Sequence, residues 1–302
     1  MLVRVEAAGL NFSDVMKGLG IYPLRDGLRA SSDRLGGECA GRIVALGPGV
    51  EGFSVGQRVL ALAPGSFESL AVVEATLALP LPDHLGWEEA ATLPIAFLTA
   101  HYALAHQARL QAGESVLIHS ATGGVGQAAL QIARQLGATV LATAGTPEKR
   151  ESLRRQGVEH VFDSRSLRFI PEVLEATRGQ GVHVVLNSLS GELLLQGLEV
   201  LTEGGRFVEI GKSDIYRDSK LPLGFFRKSL SFMAVDLEQL RLNRPALLAE
   251  MLQQLAPHFA SGHYRPLPWQ AIRFDEADQA YRCMARAKHQ GKLILVPGSA
   301  PR

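Results

Sequence analysis

The segment LIHSATGGVGQAALQIA (117–133) constrains the chain more than any other. A short apolar strand runs into a glycine-rich turn, and the turn opens a helix. Ala129, Ile132, Ala133 and Leu136 recur there at spacings of three, four and seven, one packed helical face. Gly123, Gly124 and Gly126, with Val125 between them, let backbone N–H groups approach a pyrophosphate. The helix N-terminus adds its partial positive charge. Ala121 stands where a G-x-G-x-x-G string has its first glycine, so the match is A-x-G-x-x-G. The strand before and the helix after carry the reading more than the glycines do.

The same alternation continues from about 93 to 262. TVLATA (139–144) reads as the next strand, and Thr146 with Pro147 caps the helix after it. HVFD, VHVVLNS, GRFVEIG and LSFMAV follow as strands, most of them separated by helical text. The expectation is an α/β domain with a Rossmann-type, doubly wound parallel sheet. Residues 1–92 differ. VRVEA, GRIVALGPGV and GQRVLALAPG are short strands cut by Gly and Pro, which predicts a β-rich domain. From 263 the chain reads PLPWQAIRF, a helix around Glu276–Ala287 and a last strand in GKLILVPG, which can return to the first domain. The expected division is therefore 1–92 with 263–302, against 93–262.

Composition narrows the function. A net charge of +1 over 302 residues, with cations dispersed, gives no electrostatic case for nucleic acid or an anionic membrane. No apolar run reaches membrane-spanning length. Cys39 and Cys283 form neither a disulfide framework nor a C-x-x-C pair, and MLVRVEAAGL lacks a signal-peptide pattern. A cytoplasmic setting is expected.

The second strand selects the cofactor. NAD enzymes place an acid at its end to hold the ribose 2′-hydroxyl. Here it ends Thr143-Ala144-Gly145-Thr146, with Lys149 and Arg150 close behind and Arg165 after the third strand. A missing acid and nearby cations favour the 2′-phosphate of NADPH. Each cation taken singly reads equally well as a solvated surface charge.

AAGLNFSDV (7–15), LGGECAGRIVALGPGV (35–50), GQRVLAL (56–62), ATLPIAFLTAHYAL (91–104), VVLNSLSGE (184–192), GRFVEIGKSD (205–214) and the HQGKLILVP tail, together with the glycine-rich turn, resemble the enoylreductase domains of modular polyketide synthases, within the medium-chain dehydrogenase/reductase superfamily. The likeness covers nearly the whole chain. It implies a GroES-like substrate domain built from both chain ends, a cofactor domain between them, and NADPH-dependent reduction of an enoyl thioester. The enoyl chain would be carried on the phosphopantetheine of an acyl carrier protein, beside other synthase domains such as a ketoreductase. Family domains begin with further strands before VRVEA, so an excised-domain boundary is expected.

The resemblance also implies site residues. Lys212, in EIGKSD, matches a lysine proposed near the substrate, and Asp236, in FMAVDL, its acidic partner. Tyr22, in GIYP, matches a tyrosine proposed to protonate the α-carbon and linked to a (2S)-methyl branch. Read from the residues alone, Lys212 could be a loop cation, Asp236 a helix N-cap and Tyr22 a packing residue. Asn11 and Asn187 resemble residues beside the nicotinamide and its ribose, and Gly211, Gly291 and Lys292 match positions close to the cofactor. His119 lies in the L-x-H fingerprint, and a core-strand histidine is its plainer reading.

Zinc-bearing relatives place Cys in a G-x-C-x-x-D string and His in G-H-E. Here Asn11 and Gly37 stand at those positions, no four closely spaced cysteines exist, and no H-E-x-x-H occurs. A zinc-independent enzyme is expected. The rivals are an NADPH quinone oxidoreductase and, from another class, a catalytically silent NADPH-binding structural module. A cyclopropane-forming relative would keep every motif quoted.

Overall fold

The computed structural model describes residues 1–22 and 34–298. The chain divides into two compact units, one of Met1–Leu98 with Leu240–Arg302 and the other of Thr99–Gln239.

The first unit opens with β1 (Leu2–Leu10), in which Val3 and Val5 turn to the core as their alternation requires. A short helix, Phe12–Gly18, separates it from β2 (Glu38–Ala45), β3 (Arg58–Leu62), β4 (Leu70–Val72) and β5 (Ala78–Pro80). Helix Trp87–Ala90 follows, and this part of the unit ends within helix Pro94–His101, at Leu98.

The second unit alternates strands with helices. β6 (Ser115–Ile118), β7 (Thr139–Ala144), β8 (His160–Asp163), β9 (Val182–Asn187), β10 (Leu201–Glu209) and β11 (Ser231–Ala234) form one six-stranded sheet. Every pairing is parallel, in the order β11-β10-β9-β6-β7-β8. Strand order reverses between β6 and β9. That switch point places a ligand crevice outside the carboxyl ends of those two strands. The core is built from Leu117, Leu141, Val185, Phe169, Leu198 and Phe207, apolar because a parallel sheet is covered on both faces.

The chain then returns to the first unit. β12 (Trp269–Arg273) and β13 (Lys292–Val296) complete its seven-stranded sheet, β12-β13-β1-β2-β3-β5, with β4 also on β1. β13 pairs with β1 through Gly9 and Ile294, so the two chain ends build one sheet.

The structural boundaries fall at 98/99 and 239/240 rather than at the expected 92/93 and 262/263, and the second shift is the larger. The cause is helix Pro245–Ala260, whose sequence continues the strand–helix alternation without interruption. It buries Leu248, Met251, Leu252, Leu255 and Phe259. Phe259 packs edge-on against Phe97, 5.3 Å between ring centres, within the β-rich unit. An amphipathic stripe shows that a helix is covered, not which core covers it.

Candidate functional site

In the second unit, β6 passes into the glycine-rich turn at the switch point. His119 N–H donates to Leu186 O of β9 at 3.0 Å, and the Ser120 and Ser188 hydroxyls are hydrogen-bonded at 3.0 Å. Gly123 is the N-cap of the 12-residue helix Gly124–Gln135, whose first-turn N–H groups lack intrahelical acceptors. A Cβ on Gly126 would lie 2.6 Å from Ala121 Cα, so only glycine lets helix and turn approach this closely. Gly123, Gly124 and Val125 remain half-buried, a backbone surface suited to a pyrophosphate.

β7 ends without a carboxylate. Arg165 lies over that end: a Cβ on Gly145 would come 2.7 Å from its Nε. Asp163, at the end of β8, is paired with Arg150 at 3.1 Å, and Arg150 also donates to Ala144 O at 3.2 Å. The Lys149 amide serves the N-cap, donating to Thr146 Oγ1. These groups fit a dinucleotide: a close backbone cradle at the pyrophosphate position and an arginine, with no acid, where the second ribose would sit.

Three expected cofactor residues have side chains directed into the protein. His119 is buried, its Nδ1 3.0 Å from Thr143 Oγ1 and its ring edge-on to Phe169. Burial pushes its pKa down to about 3, so the imidazole is neutral. Thr143 is buried with it. The Asn187 amide donates to Leu189 O (2.8 Å) and Glu209 Oε2 (2.5 Å), and accepts from Leu189 N–H (3.2 Å). Sequence distinguishes an inward from an outward side chain at a strand end poorly, because the pleat breaks there.

At the exits of β10 and β11, Lys212 and Asp236 come together as expected, Nζ to Oδ2 at 2.9 Å. Their side chains are 18% and 22% exposed, held yet accessible. Gly211 is the residue that leads β10 into this pair. Asp236 serves both readings of it. Oδ2 pairs with Lys212, while Oδ1 accepts from the Glu238 and Gln239 amides at 3.1 and 3.2 Å, capping helix Leu237–Asn243. Tyr216 Oη donates to the same Oδ2 at 3.5 Å. Sequence reasoning passes over Tyr216 and Glu209, although Glu209 lies in the quoted EIGKSD segment.

The first unit holds a second polar cluster. Lys292 Nζ donates to Glu38 Oε1 at 2.5 Å and Asn11 Oδ1 at 2.7 Å. Asn11 Nδ2 donates to the same Glu38 oxygen at 3.0 Å, and Ile95 N–H donates to Oε2 at 2.7 Å. Glu38 and Lys292 are buried, as a charge pair can be only when its remaining valences are met. Asp14 accepts from the Asn11 and Gly36 amides, and its burial outweighs those bonds to raise its pKa. Gly291, with φ of 63°, turns the chain into this cluster. Glu38 is the residue that sequence reasoning misses here. Tyr22 follows helix Phe12–Gly18, its ring under the Lys17 ammonium at 5.3 Å.

The cluster does not suit zinc. Its cation is the Lys292 ammonium, and its donors are one amide and one carboxylate. The adjacent Cys39 thiol points into the apolar core, where burial pushes its pKa up to about 12. Among the described residues, no three His, Cys, Asp or Glu side chains are grouped as a metal site.

A parallel nucleotide sheet and a separate β-rich unit carrying both chain ends define the medium-chain dehydrogenase/reductase fold, which binds NAD(P). Residues 1–83 match the alcohol dehydrogenase GroES-like domain, and residues 124–256 the zinc-binding dehydrogenase family. The CurK enoyl reductase structure is 38% identical, with a TM-score of 0.89 over 98% of this chain and 90% of that one. The CurF ER cyclopropanase of the curacin A pathway is 34% identical, with a TM-score of 0.90 over the same shares. A phenolphthiocerol/phthiocerol polyketide synthase polypeptide of Mycobacterium tuberculosis is 49% identical over 97% of this chain. The chain spans 13% of the length of that synthase polypeptide. The chain belongs to the enoyl reductase family of polyketide synthases. Among the described residues, no helix is long and apolar enough to cross a membrane.

Proposed function

We propose that the protein is an NADPH-dependent enoyl reductase, saturating the α,β-double bond of an enoyl thioester presented by an acyl carrier protein within a polyketide synthase. The observation that carries this is the accessible Lys212–Asp236 pair, 2.9 Å apart, on the strand exits of the nucleotide sheet. A quinone accepts hydride without needing a carbon-bound proton, so a held ammonium beside the nucleotide sheet favours the thioester. Similarity points the same way. The Escherichia coli quinone oxidoreductase complexed with NADPH is 28% identical, with a TM-score of 0.84 over 98% of this chain and 91% of that one. The CurK enzyme exceeds it in both measures.

When bound, NADPH would supply a hydride for the β-carbon. The glycine-rich turn and its helix would hold the pyrophosphate, and Arg165, with Lys149, would face the 2′-phosphate. Charge then develops on the thioester oxygen, and the α-carbon requires a proton. Lys212 Nζ can donate to either atom, and Asp236 orients the ammonium. Tyr22 is the alternative α-carbon donor and sets the face of protonation. In the β-rich unit, Asn11 and Lys292, hydrogen-bonded to each other at 2.7 Å, are read as residues close to the cofactor. A ketoreductase neighbour supplies the substrate by way of a hydroxyacyl chain that is then dehydrated.

The test follows nicotinamide absorbance with NADPH or NADH, against a crotonyl-type thioester and a quinone. Consumption of NADPH with the thioester supports the reading. Turnover only with quinone reassigns the enzyme, and turnover with neither points to the silent module. Mass analysis of the product separates simple reduction from the cyclopropane-forming activity that the CurF likeness raises.

A further inference from the structure

Glu209, the last residue of β10, is buried to 1% exposure, and none of the roles proposed for the reaction uses it. Its carboxyl group joins two strand exits. Oε1 accepts from Gly211 N–H at 2.5 Å, and Oε2 accepts from Asn187 Nδ2 at the end of β9, also at 2.5 Å. Its backbone carbonyl accepts from Val235 N–H at 2.8 Å, where β11 ends. One residue is thus bonded to the exits of β9, β10 and β11. Lys212 is one residue beyond Gly211, and Asp236 one residue beyond Val235.

A carboxyl group in such a place is costly unless its lone pairs are met, and an apolar replacement would orphan two buried donors. Aspartate, one methylene shorter, cannot reach both. Asn187 cannot compensate by rotating its amide, because both ends are already fixed on Leu189.

We infer that Glu209 is a positioning residue, fixing the backbone from which Lys212 and Asp236 project. The inference deepens the enoyl reductase reading, on which its catalytic consequence rests. Glu209 acts on the reaction only through the geometry of the pair, so its effect is conditional on Lys212.

Two measurements test it. In the first, the rate at which an amine-reactive acylating reagent modifies Lys212 is read by peptide mass spectrometry, in the native protein and in Glu209→Ala, Glu209→Asp and Glu209→Gln. Lys228, which donates to Glu199 O and Leu201 O in the same unit, is the internal reference. Loss of the clamp is expected to speed Lys212 modification about tenfold in the Ala and Asp variants, with Lys228 unchanged, as local opening predicts. Glutamine keeps the shape and one acceptor, and its rate stays within about threefold of native. If alanine unfolds the unit, Lys228 accelerates too, and the Asp variant decides. A Lys212 rate within about twofold of native in the Asp variant overturns the inference.

The second is a double-mutant cycle on thioester reduction. Adding Glu209→Ala to Lys212→Ala is expected to cost no more than about twofold beyond Lys212→Ala alone, whereas multiplied losses overturn the inference. A native protein that does not reduce thioesters sinks the enoyl reductase reading, and the modification rates still decide the role of Glu209.

Discussion

The Asp236 carboxylate holds the Lys212 ammonium on one oxygen and caps helix Leu237–Asn243 with the other. The two duties can be separated. Asp236→Asn keeps a good N-cap but loses the charge pair, whereas Asp236→Ala loses both. Asn is expected to leave stability nearly native while thioester reduction falls. Ala is expected to lose a further ~1 kcal/mol in urea unfolding. Lys212→Ala is expected to lower kcat about 100-fold, with NADPH affinity within about twofold.

Glu209 predicts a pH-dependent stability. Burial, with the nearby Asp214 charge, pushes its pKa to about 8, despite the hydrogen bonds from Asn187 and Gly211. In the unfolded chain it returns to the ordinary glutamate value of 4.5. Between these values the folded protein binds the extra proton. Stability from this group is therefore complete below pH 4.5, declines at up to ~1.4 kcal/mol per pH unit toward pH 8, and is flat above. Urea midpoints across that window should show a slope that Glu209→Gln removes.

The buried Glu38–Lys292 pair predicts asymmetric costs. Lys292→Met strands a buried carboxylate without its counter-charge, and about 3–5 kcal/mol of unfolding free energy is expected to be lost. Adding Glu38→Gln should recover much of that loss, because no charge then remains. Thermal unfolding of the single and double variants reads the difference.

Arg165 lies over Gly145, where the second ribose is proposed to sit. Arg165→Ala is expected to raise KM for NADPH about tenfold and leave KM for NADH unchanged. Equal changes for both cofactors would remove Arg165 from phosphate recognition.

Tyr22 carries the stereochemical expectation. With an α-methyl enoyl thioester, the native protein is expected to give the (2S)-methyl product, and Tyr22→Val the opposite branch. Chiral analysis of the released acid checks it, and a native (2R) product unchanged by the substitution discards the role.

The sequence by itself determined the two kinds of domain and the glycine-rich turn, whereas the Lys212–Asp236 pairing was implied only by the family resemblance. Periodicity and glycine placement are local properties, written within a dozen residues. The strand TVLATA was legible to the residue because the Thr146–Pro147 cap that follows it is a local signal as well. Tertiary structure decided what depends on distant partners. It placed helix Pro245–Ala260 in the β-rich unit through Phe97 and Phe259, and it turned His119, Thr143 and Asn187 inward. It also brought Lys292 to Glu38 and Asn11 across most of the chain. It made Glu209 the meeting point of three strand exits. A buried polar group is stable only where the fold meets all its hydrogen bonds at once, and no local stretch of sequence records which neighbours those will be.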